Sequence, residues 1–441
     1  MIRFLFKFFF LFQIIFSQSF EKSFTEICVN HNIIGATLLT YNSGAIITNH
    51  YGISNIRTKK YVDNKTLYKV ASISKFITAI GIMKLHEEGI INIDHNISDY
   101  LGFSITNPNH KGSPITIKML LNHTSSLVDS DFYFDFLNAT HKKIDKPKIS
   151  SFFNNVSDHK IFLDQMPGSF FYYSNINYGL LGVIIEKVTK KRFDQYLDEI
   201  IFKPLSIKGG FNLNKIDYKN LSTLYRNSIS QIDDFLEQPN INLDSYILGE
   251  NTLVFSPHSG CRITPEDLLK LIDCFLNKGI YYNGENYIKI LNPSTINLML
   301  SPSWKYNGLN GDNFFNLFNE WGVGLQITQN KKCADKIFDN QTMYGHVGRA
   351  YGFLGDFFFD LEQNNGFVFF VNGYYNNDYI IGEKSSFFKI EEDIFSLMRD
   401  FFYDESQEII SLLGETIYNH KSKRMYFLKK ENNIIKKVFF D

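Results

Sequence analysis

Hydrophobic and polar positions change rhythm several times along this chain of 441 residues. The stretch "GATLLTYNSGAIITNHYG" gives two strand-like runs on either side of Asn42-Ser43-Gly44, a short hairpin. It is followed by "LYKVASISKFITAIGIMKLHEEG", whose apolar spacing and terminal Gly89 read as an amphipathic helix with a good stop signal. From about residue 90 to about residue 300 the pattern is mostly helical and loop-rich, as in "ITIKMLLNHTSSL", "NYGLLGVIIEKVTKKRFDQYLDEII" and "TPEDLLKLIDCFL". Strand signals then return in "WGVGLQIT", "GFLGDFFFDLEQ" and "NGFVFFVNGYY", and "EEDIFSLMRDFF" reads as a closing helix. Strands from both ends of the chain around a helical middle predict one α+β body: an antiparallel β-sheet flanked by helices, with an inserted mostly helical region. No internal repeat is visible.

The two termini add to this picture. Arg3 and Lys7 precede the apolar run Phe8 to Phe16 and the small or polar Ser17, Gln18 and Ser19, so residues 1–19 read as a secretory signal peptide. An uncleaved N-terminal anchor is the alternative, and no other stretch is long and apolar enough to span a bilayer. Residues 20–403 form the expected body and 404–441 a C-terminal extension. Its segment "KSKRMYFLKKENNIIKKVFFD" holds seven Lys/Arg against two acids. It reads as a solvated hairpin packed on the body, or as a basic surface for a membrane or partner.

Composition narrows the function. A net charge of −1 gives no electrostatic case for nucleic acid. Seven Asn-x-Ser/Thr sites (Asn64, Asn96, Asn122, Asn138, Asn155, Asn220 and Asn340) suit a secreted glycoprotein, although Asn is common enough here for such triplets to arise by chance. The four cysteines, Cys28, Cys261, Cys274 and Cys333, allow three disulfide pairings or stand as buried thiols, and no spacing suits zinc. No metal or cofactor is expected. Oligomeric state is not legible.

The chemistry centres on residues 72 to 75. Ser72 and Lys75 lie three apart, so they share one face of a helix that begins near Ser72. A lysine held among Val70, Ala71, Phe76 and Ile77 is desolvated, which lowers its pKa toward a value where it accepts a proton. The helix N-terminus favours the alkoxide and the oxyanion it produces. As a bare pattern Ser-x-x-Lys is common, and Ser19/Lys22, Ser157/Lys160 and Ser386/Lys389 match too. Context separates the first from the rest. "PGSFFYYSNINYGLLGVIIEKVTKKRF" sets Tyr173 and Asn175 just before an apolar helix, and "YGHVGRAYGFLGDFFFD" sets His346 and Gly348 at the start of a strand-rich segment.

In the order and flanks of these blocks, from about residue 33 to about residue 400, the sequence resembles the serine β-lactamase-like family. That family groups class C β-lactamases, D-Ala-D-Ala carboxypeptidases and family VIII esterases. The resemblance implies a secreted serine hydrolase that acts through an acyl-enzyme on an ester, amide or peptide bond of a small-molecule or peptide substrate. Ser72 would be the nucleophile and Lys75 its proton acceptor or electrostatic partner. Tyr173 would be a general base, its phenol held near the cations Lys75 and protonated His346. Asn175 would bond the acyl side of the substrate. Gly348 would let its strand approach closely, so that the backbone N–H groups of Arg349 and Ser72 form an oxyanion hole. His123 is expected to shape its loop rather than to act in catalysis.

Three departures bear on substrate. Val347 stands where relatives acting on β-lactams or D-Ala-D-Ala peptides commonly have Thr or Ser, which favours esterase or peptidase over efficient β-lactamase activity. Arg349 stands where small residues are usual, where it would restore a positive charge or obstruct the pocket. Ser126 stands where the loop usually has Gly. The first two motivate an alternative, a binding or structural protein that keeps the fold after catalysis has faded.

Overall fold

The computed structural model describes residues 19–142, 146–154, 160–233, 241, 243–244, 246–328, 334–403, 425–431 and 434–440. The expected signal segment, save Ser19, lies outside them, as do Cys333 and Asn155.

Nine strands form one antiparallel sheet. They are β1 (Gly35–Asn42), β2 (Ala45–Asn55), β3 (Lys60–Tyr61), β4 (Trp304–Lys305), β5 (Glu320–Trp321), β6 (Gln326–Ile327), β7 (Tyr344–Ala350), β8 (Phe353–Asp360) and β9 (Asn365–Val371), in the order β4-β5-β6-β7-β8-β9-β1-β2-β3. The two ends of the chain meet in the middle of it, where β1 pairs with β9 from Ala36↔Val371 to Asn42↔Asn365. The β1–β2 hairpin turns at Ser43 (φ 49°) and Gly44 (φ 97°), two consecutive positive φ angles that match the right-handed twist of the strands.

Each face of the sheet carries its own helices. On one side lie α1 (residues 19–30) and α6 (Lys389–Tyr403), which contribute Phe20, Phe24, Cys28, Ile390, Ile394 and Met398 to one buried cluster. The larger cluster on the other side gathers α2 (Ser74–Glu87), α3 (Asp131–Lys142), α4 (Ile176–Thr189) and α5 (Pro265–Leu276) from the helical region. The antiparallel α+β architecture with an inserted helical region therefore matches the reading of the sequence. Helix α2 differs in one respect. It is buried from Ser74 through Met83 and again at Leu85, so it is a central helix enclosed on all sides rather than an amphipathic one. Its helical stop at Glu87 is followed by Gly89 at φ 72°.

Cys28, Cys261 and Cys274 are free and buried. Asn122 is 5% exposed, donates from Nδ2 to Ser303 Oγ (2.7 Å) and accepts from Thr124 Oγ1 (2.7 Å), so in the fold it has no room for a glycan. Residues 425–431 and 434–440 pair as an antiparallel hairpin. Among the described residues no helix is long and apolar enough to cross a membrane.

Candidate active site

Ser72 sits in a single 3-10 turn, Ala71–Ile73, that leads directly into α2. Ala71 takes φ 46°, a left-handed conformation that costs a residue with a Cβ roughly 1 kcal/mol or more and is retained only where the surroundings enforce it. The strain sits beside the serine. The Val70 N–H bonds to the Cys261 carbonyl (3.0 Å) and the Cys261 N–H to Ser74 Oγ (3.0 Å), which pins the turn from both sides.

One turn later, Lys75 is fully buried. Its Nζ reaches Ser72 Oγ at 3.1 Å, Asn175 Oδ1 at 2.7 Å and the His258 carbonyl at 3.1 Å. Tyrosine rings lie under it, Tyr173 at 4.7 Å and Tyr178 at 5.6 Å from Nζ to the ring centroid. No carboxylate among the described residues forms an ion pair with it. Burial therefore dominates and pushes the ammonium down to about 7, against a smaller upward pull from Asp129. In its neutral form the amine accepts the Ser72 proton while still donating to Asn175 Oδ1 and the His258 carbonyl.

Tyr173 stands beside this pair. Its ring is stacked between His123 (4.3 Å, 26°) and Phe318 (5.3 Å, 17°), with Trp321 at its edge. The ring is half-buried, but its hydroxyl is enclosed and lacks a hydrogen bond of good geometry. Burial holds the phenol well above its usual pKa, and Asp129 adds to this, while the neighbouring Ser72 hydroxyl pulls the other way. Ser72 is thus close enough to bias the phenol without closing a good bond.

The expectation of a protonated His346 next to Tyr173 is corrected. His346 is fully buried, its Nδ1 lies 2.6 Å from the Val347 carbonyl, and burial followed by the Lys75 charge lowers its pKa to about 3. It is neutral at physiological pH. Its unpartnered Nε2 is enclosed near Tyr173 and Trp321.

β7 runs along the Ser72 turn. A Cβ on Gly348 would meet the Val70 carbonyl at 2.6 Å, so only glycine lets the strand come this close. Strand alternation puts His346 and Gly348 on the α2 face and Val347 and Arg349 on the other. Val347 is buried opposite Asp356 and offers no donor. The expectation that the Arg349 guanidinium either charges or blocks the pocket is also corrected. It makes two bonds of 3.0 Å to the Glu391 carboxylate on α6 and lies over the Phe388 ring at 4.3 Å.

Asn175 is held more tightly than expected of a substrate-binding group. Besides its bond to Lys75, it donates from Nδ2 to Asp129 Oδ2 (2.8 Å). Asp129 went unnoticed in the sequence. Its two oxygens also accept from the Asn175 N–H (2.7 Å), the Ile176 N–H (3.0 Å) and the Ser174 hydroxyl (3.0 Å), at the N-terminus of α4 where the helix dipole favours an anion. Burial nevertheless raises its pKa. No local motif names it, because its partners lie 45 to 47 residues away. His123 is a positioning residue, as expected: its Nδ1 accepts from the Ser174 N–H (3.1 Å) while its ring stacks on Tyr173. Ser126 adopts φ 66° and accepts from Asn107 Nδ2 (3.0 Å), so the loop keeps a glycine-like conformation without glycine.

A sheet with helices on both faces, and a Ser-x-x-Lys pair at the buried start of the central helix, define a class of serine hydrolases. The chain belongs to the beta-lactamase family, whose profile matches residues 18–383. It is 33% identical over 178 residues to Protein flp of Staphylococcus aureus, a match covering 40% of this chain and 34% of that protein. It is 27% identical over 272 residues to Penicillin-binding protein 4* of Bacillus subtilis, covering 62% of this chain and 51% of that protein. The chain thus spans between about a third and a half of these relatives' length. In fold it is similar to the D-amino acid amidase of Ochrobactrum anthropi, with a TM-score of 0.64, 17% identity, and coverage of 88% of this chain and 99% of that one.

Proposed function

We propose that the protein hydrolyses an ester, amide or peptide bond through an acyl-enzyme on Ser72. Neutral Lys75 takes the Ser72 proton as Oγ attacks the substrate carbonyl, and the backbone N–H groups of Ser72 and Arg349 receive the oxyanion. Tyr173, protonated at rest, passes its proton to the leaving group and regains one from the Lys75 ammonium, so the amine ends the step neutral. Water then attacks the acyl carbonyl, with neutral Lys75 accepting its proton and passing it to Ser72 Oγ as the acyl–enzyme bond breaks. His346 packs the far side of the pocket as a neutral ring. Asn175, held by Asp129, keeps Lys75 aimed at Ser72 and offers its remaining amide proton to the substrate. With no hydroxyl at Val347, esters or peptides are better substrates than β-lactams. The N-terminal charge and apolar pattern supports action outside the cytosol.

The observation that carries this reading is the buried Lys75 amine, 3.1 Å from Ser72 Oγ with no carboxylate partner among the described residues. A fluorophosphonate probe should label the protein, and Ser72→Ala should abolish labelling. Equal labelling of the variant removes the reading. The protonated, poorly hydrogen-bonded Tyr173 favours a second reading, in which deacylation is lost. In that case Ser72 acylates but a short-chain p-nitrophenyl ester shows a single burst and no steady turnover.

A further inference from the structure

A second lysine lies just before the nucleophile, and the proposed chemistry does not use it. Lys69 is 7% exposed and pairs with Arg262 across the short ladder Tyr68–Lys69 with Arg262–Ile263. The carboxylate whose charge reaches it, Asp233, is already taken. Asp233 binds Arg262 through two bonds, 3.0 Å from Nε and 2.7 Å from the terminal NH2 group. Among the described residues Lys69 has neither a hydrogen-bond acceptor nor an ion-pair partner. Its one marked contact is the Tyr351 ring, with Nζ 4.7 Å from the centroid. Buried ammonium groups ordinarily have counter-charges, so an unpaired one next to a reactive serine calls for an account.

The surroundings continue from the active site. His258, whose carbonyl holds Lys75, feels the charge of both Lys75 and Lys69, and its enclosed Nδ1 has no partner. The Tyr133 ring lies 6.4 Å from the His258 ring, and its fully buried hydroxyl is also unpartnered. His141 lies in the field of Lys69 as well. Tyr351, 43% exposed, is held at φ 57° in the turn after β7, followed by Gly352 at φ 87°. A tyrosine with a left-handed backbone carries strain, which is commonly retained where the side chain has a task. Burial, then the Arg262 charge, lowers Lys69 to about 7, and a bound anion would draw it back to the charged form.

Direction along β7 assigns the ligand. His346 and Tyr173 lie at one end of the strand edge, where the leaving group takes its proton. Tyr351, just past the end of β7, and Lys69 against its ring lie at the other, the end this leaves for the acyl portion. We propose that Lys69, against the ring of Tyr351, is a subsite for a carboxylate carried on the substrate's acyl portion. This deepens the acyl-enzyme reading and rests on it for the direction of the substrate.

The test compares p-nitrophenyl valerate with the p-nitrophenyl monoester of glutaric acid, which replaces the terminal methyl by a carboxylate. The ratio of kcat/KM for the glutarate over the valerate ester should fall about tenfold or more in Lys69→Met and be largely kept in Lys69→Arg. Tyr351→Leu, at the exposed turn, lowers the ratio in the same direction and serves should Lys69→Met fail to fold. A binding arm needs no turnover. Glutarate should bind Ser72→Ala at least about tenfold more tightly than it binds Ser72→Ala/Lys69→Met. Equal loss on both esters, or glutarate affinity indifferent to Lys69, overturns the subsite. Failure of Ser72 to label overturns the acyl-enzyme reading separately, and the binding arm still decides on Lys69.

Discussion

At the scale of single residues, the account turns on what burial does to two amines and a phenol. Lys75 has an ordinary pKa of 10.5 when unfolded and about 7 in the fold. Between these values the unfolded chain binds the additional proton, so stability rises with pH from about 7 to 10.5 and the burial cost is fully present below that window. Replacing Lys75 by Met removes a cost the fold bears for its chemistry. Lys75→Met should therefore melt higher at pH 7, by the equivalent of about 1 kcal/mol or more, while losing Ser72 labelling. A variant less stable than the parent would mean that the lysine's hydrogen bonds outweigh its desolvation. The Ser72 and Lys75 pair was legible in the sequence because three-residue spacing alone brings the groups together. Asp129 was not, since its role depends on the start of a helix far along the chain, and a backbone carbonyl such as that of His258 carries no residue-type signal at all.

At the scale of elements, the site is a contact between a strand edge and a strained turn. The turn at Ala71–Ile73 and the β7 edge from His346 to Ala350 are brought together by the absence of a Cβ at Gly348. Gly348→Ala places a methyl 2.6 Å from the Val70 carbonyl, a contact that only backbone movement relieves. We expect it to destabilise the fold by about 1–3 kcal/mol and to slow acylation by more than about tenfold, since it moves the Arg349 N–H away from Ser72. Thermal melts and labelling rates check the two effects separately. Normal labelling would show that the strand edge takes no part. His-x-Gly triplets also occur at His110 and His258, so the motif gained meaning only from its strand context. The sequence did not reveal which way Arg349 points. Its bidentate pair with Glu391 belongs to α6, which packs on the sheet face away from Ser72.

At the scale of the whole molecule, the strands with sustained patterns were readable, and those too short to have a period were not. β1, β2, β8 and β9 lie in stretches marked by their apolar runs and turn residues. β3 to β6 are two residues each and are held by neighbouring pairing. The small ladders Leu224–Arg226 with Ile229–Ile232 and Ile280–Tyr282 with Tyr287–Lys289 went unseen inside the helical middle for the same reason. The encircled α2 reads as amphipathic in the sequence because much of its surroundings comes from distant strands and helices, such as Phe275 and Phe357, whose rings each lie 4.9 Å from that of Phe76. That enclosure keeps water from Lys75, so the global fold and the reactivity of one serine are a single claim. Its most direct measurement is the pH dependence of Ser72 acylation by a fluorophosphonate. The rate should climb about tenfold per pH unit below neutrality and level off above a midpoint near 7, where Lys75 has lost its proton. A rate that is flat from about pH 5 to about pH 9, or that Lys75→Met leaves unchanged, would contradict the account.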